Sequence, residues 1–257
     1  MQSAPSTSAP RLGPTGNAEV LNRTHAGHTA EDLLSDMIKR EYRNEIALVS
    51  SFGADAVVLL RMVSKIAPDL PVLFLETGML FPETLAYQQQ LAEELGLTDV
   101  RLIKPDHQDL EMLDPDASLH QENNDGCCYL RKTLPLRRAL EPFAASITGR
   151  KRHQAATRAE LPLFEPEGQR LKINPLINWT PDQVHAYIRD NNLPRHPLVD
   201  RGFPSIGCAP CTTPVAPGED PRAGRWRGQD KIECGIHFDG AKWRPQKREN
   251  RISKAFQ

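Results

Sequence analysis

The chain has 257 residues, with 32 basic and 33 acidic side chains and a formal net charge of −1. That length suits one α/β domain or two small ones, and near-neutrality excludes a global pull toward nucleic acid or an anionic membrane. No apolar run reaches the roughly 20 residues a membrane helix needs; the densest, Ala56 to Val63, is broken by Arg61.

Met1 to Ala18 is rich in Pro, Ser, Thr and Ala and lacks the apolar core of a signal peptide. Residues 1–28 therefore read as a disordered arm on a soluble cytoplasmic protein. A first helix is predicted from Ala30 to about Tyr42, N-capped by Thr29 and striped by Leu33, Leu34, Met37 and Ile38. Strand and helix then alternate. Ile46 to Val49 is a buried-strand run, Ser50 to Asp55 a turn, and Ala56 to Ile66 an apolar helix. Pro71 to Leu75 is a second strand, Pro82 to Leu95 a helix ended by Gly96, and Val100 to Ile103 a third strand. No internal repeat is visible. Such alternation predicts a parallel sheet with right-handed crossovers. Ligands of these sheets sit beyond the carboxyl ends of the strands, where Ser50-Ser51-Phe52-Gly53 and Glu76-Thr77-Gly78 fall.

Ala144 to Thr148 is predicted as a further strand leading into the basic loop Gly149-Arg150-Lys151-Arg152. Thr180-Pro181-Asp182-Gln183 has the form of a capping box opening a helix to about Asp190. Seven prolines among the 28 residues from Pro194 to Pro221 predict an ordered loop. The tail from Phe238 to Gln257 is polar and basic, with Lys242, Arg244, Lys247, Arg248, Arg251 and Lys254. It reads either as a solvated tail or as a docking element.

The chain lacks both the Gly-x-x-x-x-Gly-Lys-Ser/Thr loop and the Gly-x-Gly-x-x-Gly turn, which argues against a kinase, a GTPase or a dinucleotide enzyme. The Ser50 to Gly53 turn can still offer hydroxyls and N–H groups to phosphate at a helix start; an ordinary strand-to-helix turn is the alternative.

Five cysteines fall into three groups: the vicinal pair Cys127-Cys128, the Cys208-x-x-Cys211 pair, and Cys234 alone in Glu233-Cys234-Gly235-Ile236-His237. An odd count in a reduced compartment argues against a disulfide framework. Four thiols make a soft-ligand set. Adjacent side chains on a helix diverge by about 100°, which is awkward for one zinc and easier for an iron–sulfur cluster; zinc and a redox Cys-x-x-Cys remain alternatives. Cys234, beside a glycine and three residues before His237, suits an exposed nucleophile, or is an incidental surface thiol. Lys132, four residues after Cys128, shares a helix face with it if that segment is helical. Two arginine-rich loops, Arg150 to Arg158 and Arg222 to Arg227 around Trp226, suggest a local anion pocket more than a duplex-binding stripe.

From Glu45 to His237 these segments, in order, resemble the assimilatory sulfonucleotide reductases, in particular the iron–sulfur branch of the PAPS/APS reductase family. The matching pieces are Ser50 to Asp55, Glu76-Thr77-Gly78 with Leu80 to Thr84, Cys127-Cys128-x-x-Arg131-Lys132, Thr148-Gly149-Arg150, Gly207-Cys208-x-x-Cys211, Arg222 to Trp226, and Glu233 to His237. The resemblance implies an adenine-nucleotide α-hydrolase-like α/β fold over residues 29–237, with a loop-rich C-terminal part. It also implies a [4Fe-4S] cluster on Cys127, Cys128, Cys208 and Cys211. It implies thioredoxin-dependent reduction of adenylyl sulfate in sulfate assimilation, with Cys234 as nucleophile and thioredoxin or a glutaredoxin-like reductant as partner. Ser50, Phe52, Gly53, Leu75, Thr77 and Gly149 are then expected at the nucleotide. Lys132, Arg222 and Arg225, with Arg158, are expected at phosphate and sulfate, and His237 in docking of the C-terminal segment. The turn reads Ser-Ser-Phe-Gly where some members have Ser-Phe-Ser-Gly, which shifts Phe52. Rival readings are a 3′-phosphoadenylyl sulfate reductase, an ATP-dependent PP-loop adenylating or thiolating enzyme, and an iron–sulfur sensor. Nucleic acid and membrane are not expected partners, and assembly into a homo-oligomer is left open.

Overall fold

The structure, a computed structural model, describes residues 13–229, 231 and 233. Helix α1 spans Pro14–Thr24 and opens with proline at its first turn, where a missing N–H costs nothing. It lies inside the arm expected to be disordered, and Asn22 explains why. Its side-chain amide donates to the Phe164 carbonyl at 2.7 Å and accepts from the Phe164 N–H at 3.0 Å, as a neighbouring strand would. Helix α2, Ala30–Asp36, is capped by Thr29, whose hydroxyl accepts from the Asp32 N–H at 3.1 Å, and it runs on through a π-helical turn, Met37–Glu41.

The sheet is built from β1 (Ile46–Ser50), β2 (Val72–Leu75), β3 (Val100–Ile103), β4 (Ala145–Ile147), β5 (Phe164–Glu167) and β6 (Arg170–Ile173) in the order β3-β2-β1-β4-β6-β5. All pairings are parallel except the β5–β6 hairpin. Strand residues alternate between two faces, as their period of two requires. Ile46, Leu48, Val72 and Phe74 join the main core with α3 (Ala56–Ile66) and α4 (Pro82–Leu95), while Ala47, Leu73 and Leu75 meet Leu136, Leu140 and Phe143 on the other face. Gly96, at φ +66°, ends α4 in the left-handed conformation that glycine reaches without strain.

Between β3 and β4 the chain forms α5 (His107–Leu113), α6 (Leu119–Glu122), α7 (Asn124–Cys128), a π-helical turn (Tyr129–Thr133) and α8 (Leu134–Ala139). Pro135 sits in the first turn of α8, directly after the π turn, where its missing N–H costs little. After the hairpin comes α9 (Pro181–Asp190), whose Thr180–Gln183 capping box is fully formed. The proline-rich stretch is ordered and fastened to α4: the Tyr87 hydroxyl donates to the Pro194 carbonyl at 2.8 Å, and His196 Nε2 lies 3.0 Å from the Thr84 hydroxyl. The Leu198 N–H donates to His196 Nδ1 at 3.2 Å, and burial pushes this imidazole down to about 4.

Candidate nucleotide and anion site

β1 has β2 on one side and β4 on the other, so the chain reverses its winding direction there, the place where open sheets bind ligands. A cavity of about 240 Å³ opens at that point. Its walls are the β1 loop from Ser50 to Ala56, the β4 loop from Thr148 to Lys151, Leu75, Lys132, Arg158, the Ser205–Gly207 loop, Arg222, Arg225, Trp226 and Glu233.

The β1 loop turns sharply at Phe52, which sits at φ +48°, an uncommon conformation for a residue with a side chain. The Ser50 hydroxyl holds the turn by accepting from the Phe52 N–H at 3.2 Å. The phenyl ring is fully buried, edge-on to Phe74 at 5.0 Å. Phe52 is thus a core residue, not a wall of the cavity: the turn that presents Ser50 and Gly53 outward sends this ring inward. Thr77 is also fully buried and lies apart from the cavity wall, with its hydroxyl 3.3 Å from Cys208 Sγ. Ser50, Gly53, Leu75, Gly149, Lys132, Arg158, Arg222 and Arg225 do line the cavity.

Two basic residues of the β4 loop are committed elsewhere. Arg150 pairs with Glu165 and donates to Asn174 Oδ1 at 3.1 Å, tying the loop to the hairpin. Lys151, 1 % exposed, donates to Asp55 at 3.0 Å and joins the β4 loop to the start of α3. A buried ammonium must be paired or lose its proton, and nothing in the local sequence pattern reveals that partner 96 residues away.

The arginines concentrate charge at one end. Burial, then repulsion from Arg158 and Arg225, pushes Arg222 down to about 10. Arg225 stacks on Trp226, its guanidinium carbon 4.5 Å from the ring centre, and donates to the Ile206 carbonyl at 3.3 Å. Among the described residues its buried Nε has no hydrogen-bond partner. The guanidinium occupies the space a Cβ on Gly207 would need, 2.4 Å from that position, so a side chain there would displace Arg225 from its seat. Arg158 is held by the Glu233 carboxylate, its Nη2 donating to Oε2 at 2.7 Å. Burial alone would raise the Glu233 carboxyl, but the hydrogen bond and charge of Arg158, with Arg222 behind it, hold it below the usual range.

Behind Lys132 lie four cysteines. Asn123 caps α7 by accepting from the Gly126 N–H at 2.9 Å, which places Cys127 and Cys128 on the helix end. The second pair flanks a 3-10 turn, Ala209–Cys211, anchored where the Ala209 N–H donates to the Met79 carbonyl at 2.8 Å. Asn124 draws the two segments together: its amide donates to Cys211 Sγ at 3.5 Å and its carbonyl lies 3.8 Å from Cys128 Sγ. Arg131 donates to Asp114 at 2.7 Å and to the Thr77 carbonyl at 3.0 Å, fixing the run that carries Lys132. That run is a π-helical turn, and the charge of Lys132 acts on Cys211 while its side chain lines the cavity. Burial pushes the Cys127 thiol up to about 11. Among the described residues no three His, Cys, Asp or Glu side chains gather as a single metal ion requires. Four sulfur donors from two segments, without oxygen or imidazole among them, fit the chemistry of a thiolate-bound soft metal group. Cys234 and His237 lie outside the described residues.

A cavity at the switch point of a mostly parallel sheet, lined by cations, is the arrangement of an α/β nucleotide-binding fold. Residues 45–214 match the family described as "Phosphoadenosine phosphosulfate reductase domain", and the chain belongs to that family. It is 50 % identical over 216 residues to "Adenosine 5'-phosphosulfate reductase" of Chelativorans sp., covering 83 % of this chain and 88 % of the relative. It is 41 % identical over 225 residues to "Phosphoadenosine 5'-phosphosulfate reductase" of Gloeobacter violaceus, covering 83 % and 92 %. Among solved structures, phosphoadenylyl-sulfate reductase from Candida auris in a phosphate complex superposes with a TM-score of 0.67 at 28 % identity, over 80 % of this chain and all of that one. No helix among the described residues is long and apolar enough to cross a membrane.

Proposed function

We propose that the chain reduces adenylyl sulfate to sulfite and AMP in sulfate assimilation, using thioredoxin as reductant. The observation that carries this reading is a single cavity that joins the β1 and β4 loops to Lys132, Arg222 and Arg225, with Glu233, the residue before Cys234, in its wall. The β1 and β4 loops receive the nucleotide; the cations take the phosphate and sulfate, neutralising charge that moves to the leaving group. The Cys234 thiolate attacks the sulfur of the phosphosulfate. A sulfur–sulfur bond forms, the bridging sulfur–oxygen bond breaks, and AMP leaves with the electron pair. One thioredoxin thiolate then attacks Cys234, sulfite leaves with the pair of the broken sulfur–sulfur bond, and the second thioredoxin thiol resolves the mixed disulfide.

Cys127, Cys128, Cys208 and Cys211 would hold an iron–sulfur cluster, which suits adjacent thiols better than one zinc does. Bound there, it would supply a fixed charge and a cross-link between α7 and the 3-10 turn. Lys132 stands between this cage and the anions. The substrate without a 3′-phosphate is favoured by the relative that is 50 % identical over 216 residues.

Anaerobic turnover with thioredoxin tests the reading. Sulfite should form faster from adenylyl sulfate than from its 3′-phosphorylated form, and Cys234→Ser should form none. Sulfite production by that variant would overturn the mechanism, and preference for the 3′-phosphorylated substrate would overturn the substrate assignment. A colourless protein binding zinc alone would overturn the cluster.

A further inference from the structure

Glu233 is 5 % exposed and is bound from three directions. Arg158 Nε donates to its Oε1 at 2.5 Å and Arg158 Nη2 to its Oε2 at 2.7 Å, a two-pronged guanidinium–carboxylate pair. The Thr157 hydroxyl donates to Oε1 at 3.3 Å, and Arg222 stands 3.9 Å from Oε2. Arg158 is itself braced by Gln154, which accepts from its Nη1 at 2.6 Å. A pair of this kind ties the chain at position 233 to the 3-10 turn Ala156–Arg158 after β4, at the rim of the cavity.

The geometry is costly unless it serves something. Two buried charges gain little net stability over apolar residues of the same size, and this pair consumes an arginine that would otherwise face an anionic ligand. A second tie lies two residues earlier. Lys231 Nζ donates to Asp125 at 2.7 Å and lies 3.4 Å from Cys128 Sγ, against the opposite side of the site. Residues 231 and 233 therefore grip both the cysteine-bearing helix and the cavity wall. The next residue in the chain is Cys234.

Resting on the function proposed above, we propose that Glu233 is a positioning residue: its carboxylate, seated on Arg158, fixes the chain one residue before the thiol and so sets the rate of the first sulfur transfer. Arg158 then acts on the reaction through Glu233, while Lys132, Arg222 and Arg225 meet the substrate. A nucleophile held near its target gains rate through orientation alone, so loosening the tie slows the chemical step without weakening the nucleotide's own contacts.

The test compares wild type, Glu233→Gln and Glu233→Asp in three measurements without thioredoxin. These are the burst of AMP release from adenylyl sulfate, the affinity for AMP, and the alkylation rate of Cys234 by iodoacetamide, read by peptide mass. In Glu233→Gln the burst should slow at least about ten-fold and alkylation quicken at least about five-fold, with AMP affinity within about two-fold. Glu233→Asp should fall between it and wild type. Unchanged burst and alkylation rates in Glu233→Gln would overturn the proposal. So would loss of AMP affinity in both variants, which marks a purely structural pair, or a rise in affinity, which marks Glu233 as a competitor for the cavity. A wild type with no burst would refute the function itself, and the alkylation contrast would then decide alone for or against the tie.

Discussion

The two walls of the cavity are made by different physics. The wall from β1, β2 and β4 is set by periodicity: alternating strand faces bury Ile46, Leu48, Val72 and Phe74, and the loops emerge at the carboxyl ends as a consequence. The wall from Pro194 to Glu233 has no strand or α-helix among its described residues. Glycines, buried ion pairs and side-chain-to-backbone bonds hold it in place of a ladder. Gly224 shows the difference: a Cβ there would lie 2.0 Å from the Thr213 carbonyl oxygen, whereas Gly53 in the sheet wall has room for one. A wall built from single contacts should fail at single positions, and a wall built from a core should not.

Gly224→Ala should therefore do the most damage. Overpacking costs about 1–3 kcal/mol where side chains can yield, and here the obstacle is backbone. We expect a loss at or above the top of that range and little AMP binding, checked by denaturant unfolding and calorimetry. Gly53→Ala should leave unfolding nearly unchanged; equal losses in the two variants would erase the contrast between walls.

The join between the walls is next. His196 is buried and neutral, with its acidity shifted from the ordinary 6.5 down to about 4. The unfolded chain thus binds the proton more readily than the folded one, so stability is full above pH 6.5 and falls as pH drops toward 4. The shift corresponds to about 3 kcal/mol over that window. His196→Gln should flatten that part of the pH profile, measured by urea unfolding from neutral to acid pH. A slope unaltered by the substitution would place the acid sensitivity elsewhere.

Smallest is the capping box of α9. Removing the Thr180 hydroxyl in Thr180→Ala should cost about 1 kcal/mol. AMP affinity should not move, because α9 packs on α3 behind the sheet. Calorimetry showing weakened AMP binding would mean the two walls are coupled through the core.

The same contrast governs what could be read from the sequence. Helices α3 and α4, strand β3 and the Thr180 cap follow from apolar spacing and from Pro and Gly at the ends, and the structure places them where that pattern does. The β5–β6 hairpin escaped notice because Phe164-Glu-Pro-Glu is polar, with a proline tolerated only because β5 is an edge strand. Helix α1 was hidden by its composition; its order comes from Asn22 pairing with a strand 142 residues away. Within the site, the strand ends and basic loops were legible, and the family resemblance carried the four cysteines as a set. The direction of a side chain at a turn was not: Phe52 and Thr77 share their loops with cavity residues yet point into the protein. The partners of Glu233 and Lys151 were not legible, because Arg158 and Asp55 lie far from them along the chain.

The central claim is that Cys234 carries sulfur from the substrate before any reductant acts. Intact-mass and peptide mass spectrometry of the enzyme mixed with adenylyl sulfate, in the absence of thioredoxin, measures this directly. One sulfonate group on the peptide containing Cys234, one equivalent of AMP, and release of sulfite only when thioredoxin is added are expected. An unmodified Cys234 in enzyme that has released AMP and sulfite would contradict it.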